Sequence, residues 1–308
     1  MVKVPARDQL EVIRRATQLA ELASAFETDS IDELYFRAKS VWKEAVRRTQ
    51  ERAVPPDGLP GSTVDVASTT FHVHGITHAG TTAEREYFHP HVSAFLDRGA
   101  QIYCEQGIRQ MFFDDLHDVC EMDDYRWAMT QCDELDADHH AVAVGPKTRI
   151  DRVRSDLETL TEGLLDATFS LIESGRPIYG ERFERALGDV AADFATDPAA
   201  LATGRSYEAF ALSREVSKQP SRLVELQRYY ERAFLPQPLE REWLRRHDPA
   251  LELLTHARNE RMADYAVYHA TAGGDVHLLV GAAHQPGVGY YLDRYRRGRN
   301  VRETFEFV

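Results

Sequence analysis

The chain has 308 residues, 43% of them hydrophobic and 10% aromatic, which supplies a substantial apolar core and excludes wholesale disorder. Its formal net charge of −13 argues against binding the phosphate backbone of nucleic acids as a main task. No run of about 18 apolar residues occurs, so the sequence predicts no membrane span, and its charged N-terminus argues against a cleaved signal peptide.

The cysteines and the basic residues indicate a cellular setting. Three cysteines without a CxxC pair argue against a disulfide framework and favour a reducing cytoplasm. Only five of the 37 basic residues are lysines. An acidic, lysine-poor composition is typical of a surface adapted to a high-salt cytoplasm, and GC-rich coding produces the same arginine bias. Composition leaves both explanations open.

The first 54 residues predict a pair of helices. Apolar residues at helical spacing over 8–27 predict the first helix. The second opens at a capping box formed by Ser30 and Glu33, followed by another apolar stripe. A Pro- and Gly-rich stretch at 55–61 ends the pair, so we define 1–54 as an N-terminal helical hairpin.

Segment 62–138 predicts the first half of an α/β core. Residues 69–75 are β-branched and aromatic, as in a strand. Thr81 and Glu84 form a capping box that opens a helix, and residues 100–105 predict the next strand. Since strand–helix–strand units build parallel sheets, we expect parallel pairing here.

The rest of the chain predicts a helical insertion and the return of the α/β core. Residues 139–247 are helical in pattern and form the insertion. The second half of the core is 248–308, with a helix at 249–270 and further elements ending in a predicted edge strand at 302–308. The predicted fold is therefore α/β, with a mixed, largely parallel sheet and flanking helices, interrupted by a large helical insertion. The long amphipathic helices at 8–53 and 149–174 are candidates for pairing between subunits of a homo-oligomer.

Two strand ends share the pattern Gly-x-x-His. Gly75 and His78 follow one predicted strand, and Gly281 and His284 follow another. Glu105 ends a third strand. Ligands of open α/β sheets bind beyond the carboxyl ends of the strands, so we expect the three polar side chains to meet over one site.

Two histidines and a carboxylate suit two kinds of chemistry. They match a zinc, manganese or cobalt site with open positions, and they equally match a metal-free general acid and base. Arg258 lies on a mostly apolar helical stripe. A buried arginine needs an anionic partner, which Glu105 or a substrate anion would provide.

Other histidines have weaker patterns. His72 and His74 form an HxH pair similar to the first metal motif of amidohydrolase barrels, which need about eight βα units, whereas helices dominate the middle of this chain. We expect His74 to line the pocket and His72 to pack. The sequence contains no serine elbow, P-loop, dinucleotide fingerprint or HExxH motif.

Four stretches of the sequence resemble the TraB/Tiki/GumN group, part of a wider set of α/β enzymes that includes erythromycin esterases and ChaN-like proteins. The group has a GxxH after the first strand, a strand-end Glu, an Arg-Asn-x-x-Met helix motif and a second GxxH. The matching stretches are FHVHGITHAG, IYCEQGIRQ, RNERM and LLVGAAHQPGVGYYL. The motifs fall on Gly75 and His78, Glu105, Arg258, Asn259 and Met262, and Gly281 and His284.

The resemblance implies a hydrolase-like site on a mixed or parallel sheet. Tiki-like members are described as divalent-metal-dependent proteases, esterase relatives use a histidine without metal, and TraB-like members are linked to inactivating peptide pheromones. Two features depart from the group. Gln106 follows the Glu, with Arg109 four residues on instead of five, and the chain lacks the C-terminal membrane spans of many archaeal relatives.

We therefore expect a cytoplasmic TraB/Tiki-like hydrolase that cleaves a peptide or a small amide or ester with a divalent metal. The expected metal ligands are His78, Glu105 and His284, with Arg258 stabilising negative charge. The expected substrate-binding residues are Gly75, His74, Asn259, Gly281 and Arg109. Two alternatives remain open: a non-catalytic protein that sequesters an anionic peptide or small ligand in the same pocket, and a metal-free His/Glu esterase.

Overall fold

The structure is a computed structural model that describes residues 6–50, 58–77, 79–105, 167–178, 180–194 and 198–298. Four predicted features lie outside these ranges: His78, Arg109, the edge strand 302–308 and most of the helix at 149–174.

The described part of the chain is mostly helical and contains a four-stranded sheet. The strands are β1 (Ser62–Val66), β2 (Thr69–Ile76), β3 (Gln101–Cys104) and β4 (Asp275–Gly281). The α-helices are α1 (Ala6–Arg15), α2 (Ala23–Phe26), α3 (Ile31–Gln50), α4 (Thr82–Asp97), α5 (167–178), α6 (Glu181–Phe194), α7 (Pro198–Thr203), α8 (Tyr207–Lys218), α9 (Leu223–Ala233), α10 (Gln237–His247), α11 (Pro249–Leu254), α12 (His256–His269) and α13 (Gln285–Arg296). None of the helices in these ranges combines the length and apolarity needed to cross a bilayer.

The sheet is mixed and mostly parallel, as the sequence predicts. Its strand order is β1-β2-β4-β3. β1 pairs antiparallel with β2, whereas β4 pairs parallel with both β2 and β3. The late strand β4 therefore lies between two early strands, and the carboxyl ends of β2, β3 and β4 share one edge of the sheet.

Apolar side chains cover both faces of the sheet. Helix α4 packs on one face, where Phe88 and Phe95 contact a cluster that includes Ile102 and Leu279. Helices α12 and α13 pack on the other face. A third apolar cluster joins the N-terminal helices to α10. Burying each of these large apolar side chains stabilises the fold by about 1.5–3 kcal/mol.

Strand β1 was not predicted from the sequence. It is joined to β2 by the two residues Ala67 and Ser68, and Ala67 has a φ of 52°. Tight hairpins usually place Gly, Asn or Asp in such left-handed positions. This turn carries none of them, so the sequence gives no hairpin signal.

The first predicted helix, 8–27, is interrupted. Helix α1 ends at Arg15, and the chain then forms a 3₁₀ turn at Leu19–Leu22 before α2. The backbone N–H of Leu19 donates to the Glu242 carboxylate over 2.6 Å, so a tertiary partner replaces a helical one.

The two predicted capping boxes differ in outcome. Thr81 and Glu84 form the reciprocal pair, which confirms the start of α4. At α3, Ser30 Oγ accepts from the Glu33 N–H over 3.4 Å, but the N–H of Ser30 donates to Thr28 Oγ1. Thr28 also donates to the Glu33 carboxylate over 2.7 Å. Only half of that box is therefore present.

The predicted helix at 249–270 is two helices that meet at Thr255. This residue has φ −113° and ψ −83°, outside the helical region, and its hydroxyl donates to the Leu251 carbonyl over 2.7 Å. The break begins α12 at His256, which places Arg258 and Asn259 close to the helix start.

Candidate functional site

The site lies where the three parallel strands end. Glu105 directly follows β3 and is 8% exposed. At the ends of β2 and β4, the N–H of Ala282 donates to the Ile76 carbonyl over 2.9 Å, which continues the strand pairing. Because Cys104 at the end of β3 pairs with Leu279 of β4, Glu105 lies beside the turn after β4.

Both oxygens of the Glu105 carboxylate have partners. Oε1 accepts from Arg258 Nη2, and Oε2 accepts from the backbone N–H of Gly281 over 2.9 Å. The Glu105 and Arg258 side chains are 10% and 23% exposed. Glu105 thus supplies the anionic partner that the inward position of Arg258 requires.

His284 lies beside this ion pair at the start of α13. Its backbone N–H donates to the Gly281 carbonyl over 2.8 Å, which closes the turn after β4. The ring atom Nε2 lies 3.5 Å from Glu105 Oε1, and Nδ1 lies 2.7 Å from Asn259 Oδ1. The structure therefore brings together Glu105, Arg258, Asn259 and His284, four of the residues singled out in the sequence.

Two further residues continue the polar contacts inward. Asn259 Nδ2 donates to Gln237 Oε1 over 3.0 Å, and His256 Nδ1 lies 3.3 Å from the same oxygen. Gln237 and His256 are each 2% exposed. Sequence reasoning missed both. Gln237 belongs to a different helix from Asn259, and no motif links the two positions.

The glycines predicted to bind substrate have structural partners. The N–H of Gly75 donates to Gln285 Oε1 over 3.1 Å, and its carbonyl accepts from Gln227 Nε2 over 2.8 Å. A Cβ at Gly75 would lie 2.4 Å from Gln285 Oε1. Gly75 thus allows α13 to approach β2 closely, while Gly281 serves the site by donating its N–H to Glu105.

Because Gly287 has no side chain, the amide of Asn259 can pack against it. A Cβ at position 287 would lie 2.1 Å from Asn259 Nδ2, too close for either group to remain. We expect Gly287→Ala to lower the free energy of unfolding by about 1–3 kcal/mol, because overpacking displaces the amide. Urea denaturation measures this change.

Gly289→Ala is the matched control in the same helix. The nearest atom to its added Cβ is Ser62 Oγ at 3.4 Å, an ordinary contact. This variant should be stabilised by up to about 1 kcal/mol through helix propensity. Equal effects of the two substitutions would contradict the packing argument.

His74 belongs to a cluster of stacked rings and not to the group of contacts around Glu105. Its Nδ1 donates to the Pro60 carbonyl over 3.0 Å, and its Nε2 lies 2.9 Å from His277 Nδ1. The His277 ring stacks on Phe95 and on His72, with centroid distances of 3.7 and 4.5 Å. His72 packs as expected, but the contacts of the buried His74 are with the backbone and this stack.

Burial keeps the paired histidines neutral. It lowers the pKa of His74 to about 4 and that of His277 to about 3. In the unfolded chain both histidines have a pKa near 6.5, so as the pH falls the unfolded chain takes up protons before the folded protein does. Their contribution to the free energy of unfolding is therefore complete above pH 6.5 and decreases as the pH drops towards 4. We expect a loss at pH 5 of about 2 kcal/mol for each histidine.

Chemical denaturation at pH 7.5 and pH 5 tests this expectation in wild type and in His277→Gln, which keeps an N–H donor but cannot titrate. The difference in the free energy of unfolding between the two pH values should be smaller by about 2 kcal/mol in the variant. His247→Gln, at a half-buried position near the end of α10, is the control. An unchanged pH dependence in His277→Gln would refute the titration argument.

The described ligands of the predicted metal site do not fit a divalent cation. Glu105 and His284 are in contact, but the guanidinium of Arg258 lies on Glu105 Oε1 and the N–H of Gly281 occupies Oε2. A cation bound to this carboxylate would be repelled by the adjacent guanidinium. Within the ranges that the structure describes, no group of three or more His, Cys, Asp or Glu side chains is arranged to hold a metal ion.

Comparisons of the chain with protein-family models, with curated proteins and with solved structures give no match. The function is therefore inferred from the chemistry of Glu105, Arg258, Asn259 and His284.

Proposed function

We propose that this protein is a hydrolase that cleaves an ester or amide bond of a small molecule or peptide by metal-independent acid–base catalysis. The observation that carries the proposal is the position of the His284 ring. It is held at Nδ1 by Asn259 over 2.7 Å and has Glu105 3.5 Å from Nε2. The resemblance to the TraB/Tiki/GumN group, with its esterase relatives, supports the same class of reaction.

In the proposed reaction each ring nitrogen of His284 has a separate role. Nδ1 carries the proton and donates it to Asn259 Oδ1, which lies 2.7 Å away, so the lone pair of the neutral ring is on Nε2. Nε2 takes a proton from the water that attacks the substrate carbonyl. The imidazolium then gives that proton to the departing alkoxide or amine, which restores the neutral ring and leaves an acid and an alcohol or amine.

Glu105 acts as the charge partner of the imidazolium. Its hydrogen bonds from Arg258 and Gly281 favour the ionised carboxylate and restrain its orientation. Before the reaction, the negative charge of Glu105 and the positive charge of Arg258 neutralise each other. Protonation of His284 then adds one positive charge to the site while negative charge develops on the substrate oxygen, and this favours the transition state.

Metal removal separates this mechanism from the metal-dependent alternative. Protein purified without a metal-affinity column is dialysed against EDTA and dipicolinate, and metal content is measured by mass spectrometry. Activity is followed on p-nitrophenyl esters, anilides and a peptide library. We expect multiple turnover of at least one class, with a rate unchanged by chelation.

Two outcomes would overturn the proposal. Activity that is lost on chelation and restored by manganese, cobalt or zinc would establish the metal-dependent reaction. Binding of substrate-like ligands without turnover in any class would favour the sequestering protein.

A further inference from the structure

We propose that His256, acting through Gln237 and Asn259, determines which ring nitrogen of His284 carries the proton. His256 and Gln237 are then positioning residues, because they act on His284 through Asn259. The catalytic meaning of the inference rests on the proposed function, but the proton position is measurable without any substrate.

The polar contacts from His256 to His284 form one continuous chain. His256 Nδ1 lies 3.3 Å from Gln237 Oε1, Asn259 Nδ2 lies 3.0 Å from the same oxygen, and Asn259 Oδ1 lies 2.7 Å from His284 Nδ1. Both central members are amides, each with an acceptor oxygen and a donor nitrogen on one planar group. Turning both amides over reverses every hydrogen bond in the chain.

The two directions give His284 opposite tautomers. In the forward direction, His256 and Asn259 both donate to Gln237 Oε1, and His284 donates from Nδ1–H. In the reverse direction, Gln237 Nε2 donates both to His256 and to Asn259, whose own amide nitrogen then donates to His284 Nδ1. The proton of His284 is on Nδ1 in the forward direction and on Nε2 in the reverse direction. Only the forward tautomer has the Nε2 lone pair that a general base needs.

The His256 end of this series of hydrogen bonds determines which of the two directions is favoured. His256 Nε2 is buried, and the described residues offer it no hydrogen-bond partner. The ring packs edge-on against Phe234, with centroids 5.4 Å apart and planes at 86°. Burial also lowers the pKa of His256, so the ring is neutral and carries one proton. In the reverse direction that proton would be on Nε2 without an acceptor, and orphaned buried N–H groups are rarer than unpaired acceptors.

At the His284 end, the reverse direction is stabilised only weakly. There, His284 Nε2–H would donate to Glu105 Oε1 over 3.5 Å. This is longer than the roughly 2.7–3.2 Å of a normal N–H···O bond, so the gain is small. The missing acceptor for His256 Nε2 among the described residues therefore favours the forward direction and places the proton of His284 on Nδ1.

The tautomer can be read by long-range ¹H–¹⁵N correlation spectra of ¹⁵N-histidine-labelled protein at pH 8. The ring has one protonated and one unprotonated nitrogen, which resonate far apart, and the His284 signals are assigned by their loss in His284→Asn. In wild type we expect Nδ1 to be protonated and Nε2 unprotonated. Gln237→Met removes the acceptor and should shift His284 towards a mixture of tautomers, with kcat at least tenfold lower and KM unchanged.

Two variants keep the test decisive. Gln237→Glu retains an acceptor for both neighbours, so it should keep the wild-type tautomer and most of kcat. His256→Phe removes the donor at the far end but leaves Gln237 in place, and it should shift the His284 tautomer as Gln237→Met does. If neither of the tautomer-shifting variants folds, a proton on His284 Nε2 in the wild-type spectrum still overturns the inference.

The outcomes separate this inference from the proposed function. A proton on His284 Nε2 in wild type, or an unchanged tautomer in folded Gln237→Met and His256→Phe, would overturn the inference while leaving hydrolysis intact. The expected tautomers together with no turnover of any ester, amide or peptide would support the inference and refute the hydrolase.

Discussion

Replacing His284 by asparagine is expected to lower kcat/KM by about 10²–10⁴-fold, the usual contribution of a general acid–base. Asparagine keeps a polar group beside Asn259, but it cannot take a proton from water. The loss should be in kcat, because the ring acts in the transition state and not in ground-state binding. Steady-state kinetics on the best ester or amide from the substrate panel measure it.

The control for this substitution is His247→Asn, at the opposite end of α10 from Gln237. His247 contacts the Trp243 carbonyl over 2.8 Å and lies 3.2 Å from Asp32. Its replacement should leave kcat/KM unchanged. If His284→Asn retains wild-type kcat with an unchanged melting temperature, His284 is not the base.

Removing the positive partner of the buried ion pair should have the largest effect on stability. We expect Arg258→Met to lower the free energy of unfolding by about 3–5 kcal/mol, because it leaves Glu105 charged and buried. The double variant Glu105→Gln/Arg258→Met should recover much of this loss, since the uncompensated charge is gone. Urea denaturation at pH 7.5 provides all the required values.

Arg246→Met is the matched control for the ion pair. Arg246 pairs with Glu242 over 2.8 Å, and their side chains are 52% and 20% exposed. Solvent screens such pairs, so the change should be below about 1 kcal/mol. A double variant no more stable than Arg258→Met would show that lost packing, and not the charge of Glu105, explains the effect.

The strand-end residues could be predicted because parallel strands have a fixed direction. Glu105 and His284 each follow a strand with a clear β pattern, and a shared sheet edge brings such positions together. Arg258 could also be predicted, since its stripe is otherwise mostly apolar and a buried guanidinium must be paired.

The inner half of the site could not be predicted in this way. Gln237 lies on α10 and His256 begins α12, and their contact depends on the helix break at Thr255. Helical periodicity continues through that break, so the sequence predicted one helix. The end of α1 depends likewise on Glu242, 223 residues from Leu19 along the chain. Such tertiary hydrogen bonds override local pattern and leave no local signal.

The place of β4 in the sheet has a consequence for folding. β2 and β3 never pair with each other, and both depend on β4, so Glu105 and Gly281 meet across 176 positions of sequence. Closing so long a loop is slow, which predicts late assembly of the sheet centre. Until then, two strands carry unsatisfied edges facing a gap, and such edges invite pairing with other chains. Aggregation during refolding should therefore depend steeply on protein concentration, and a separately supplied β4 peptide should suppress it by filling the gap.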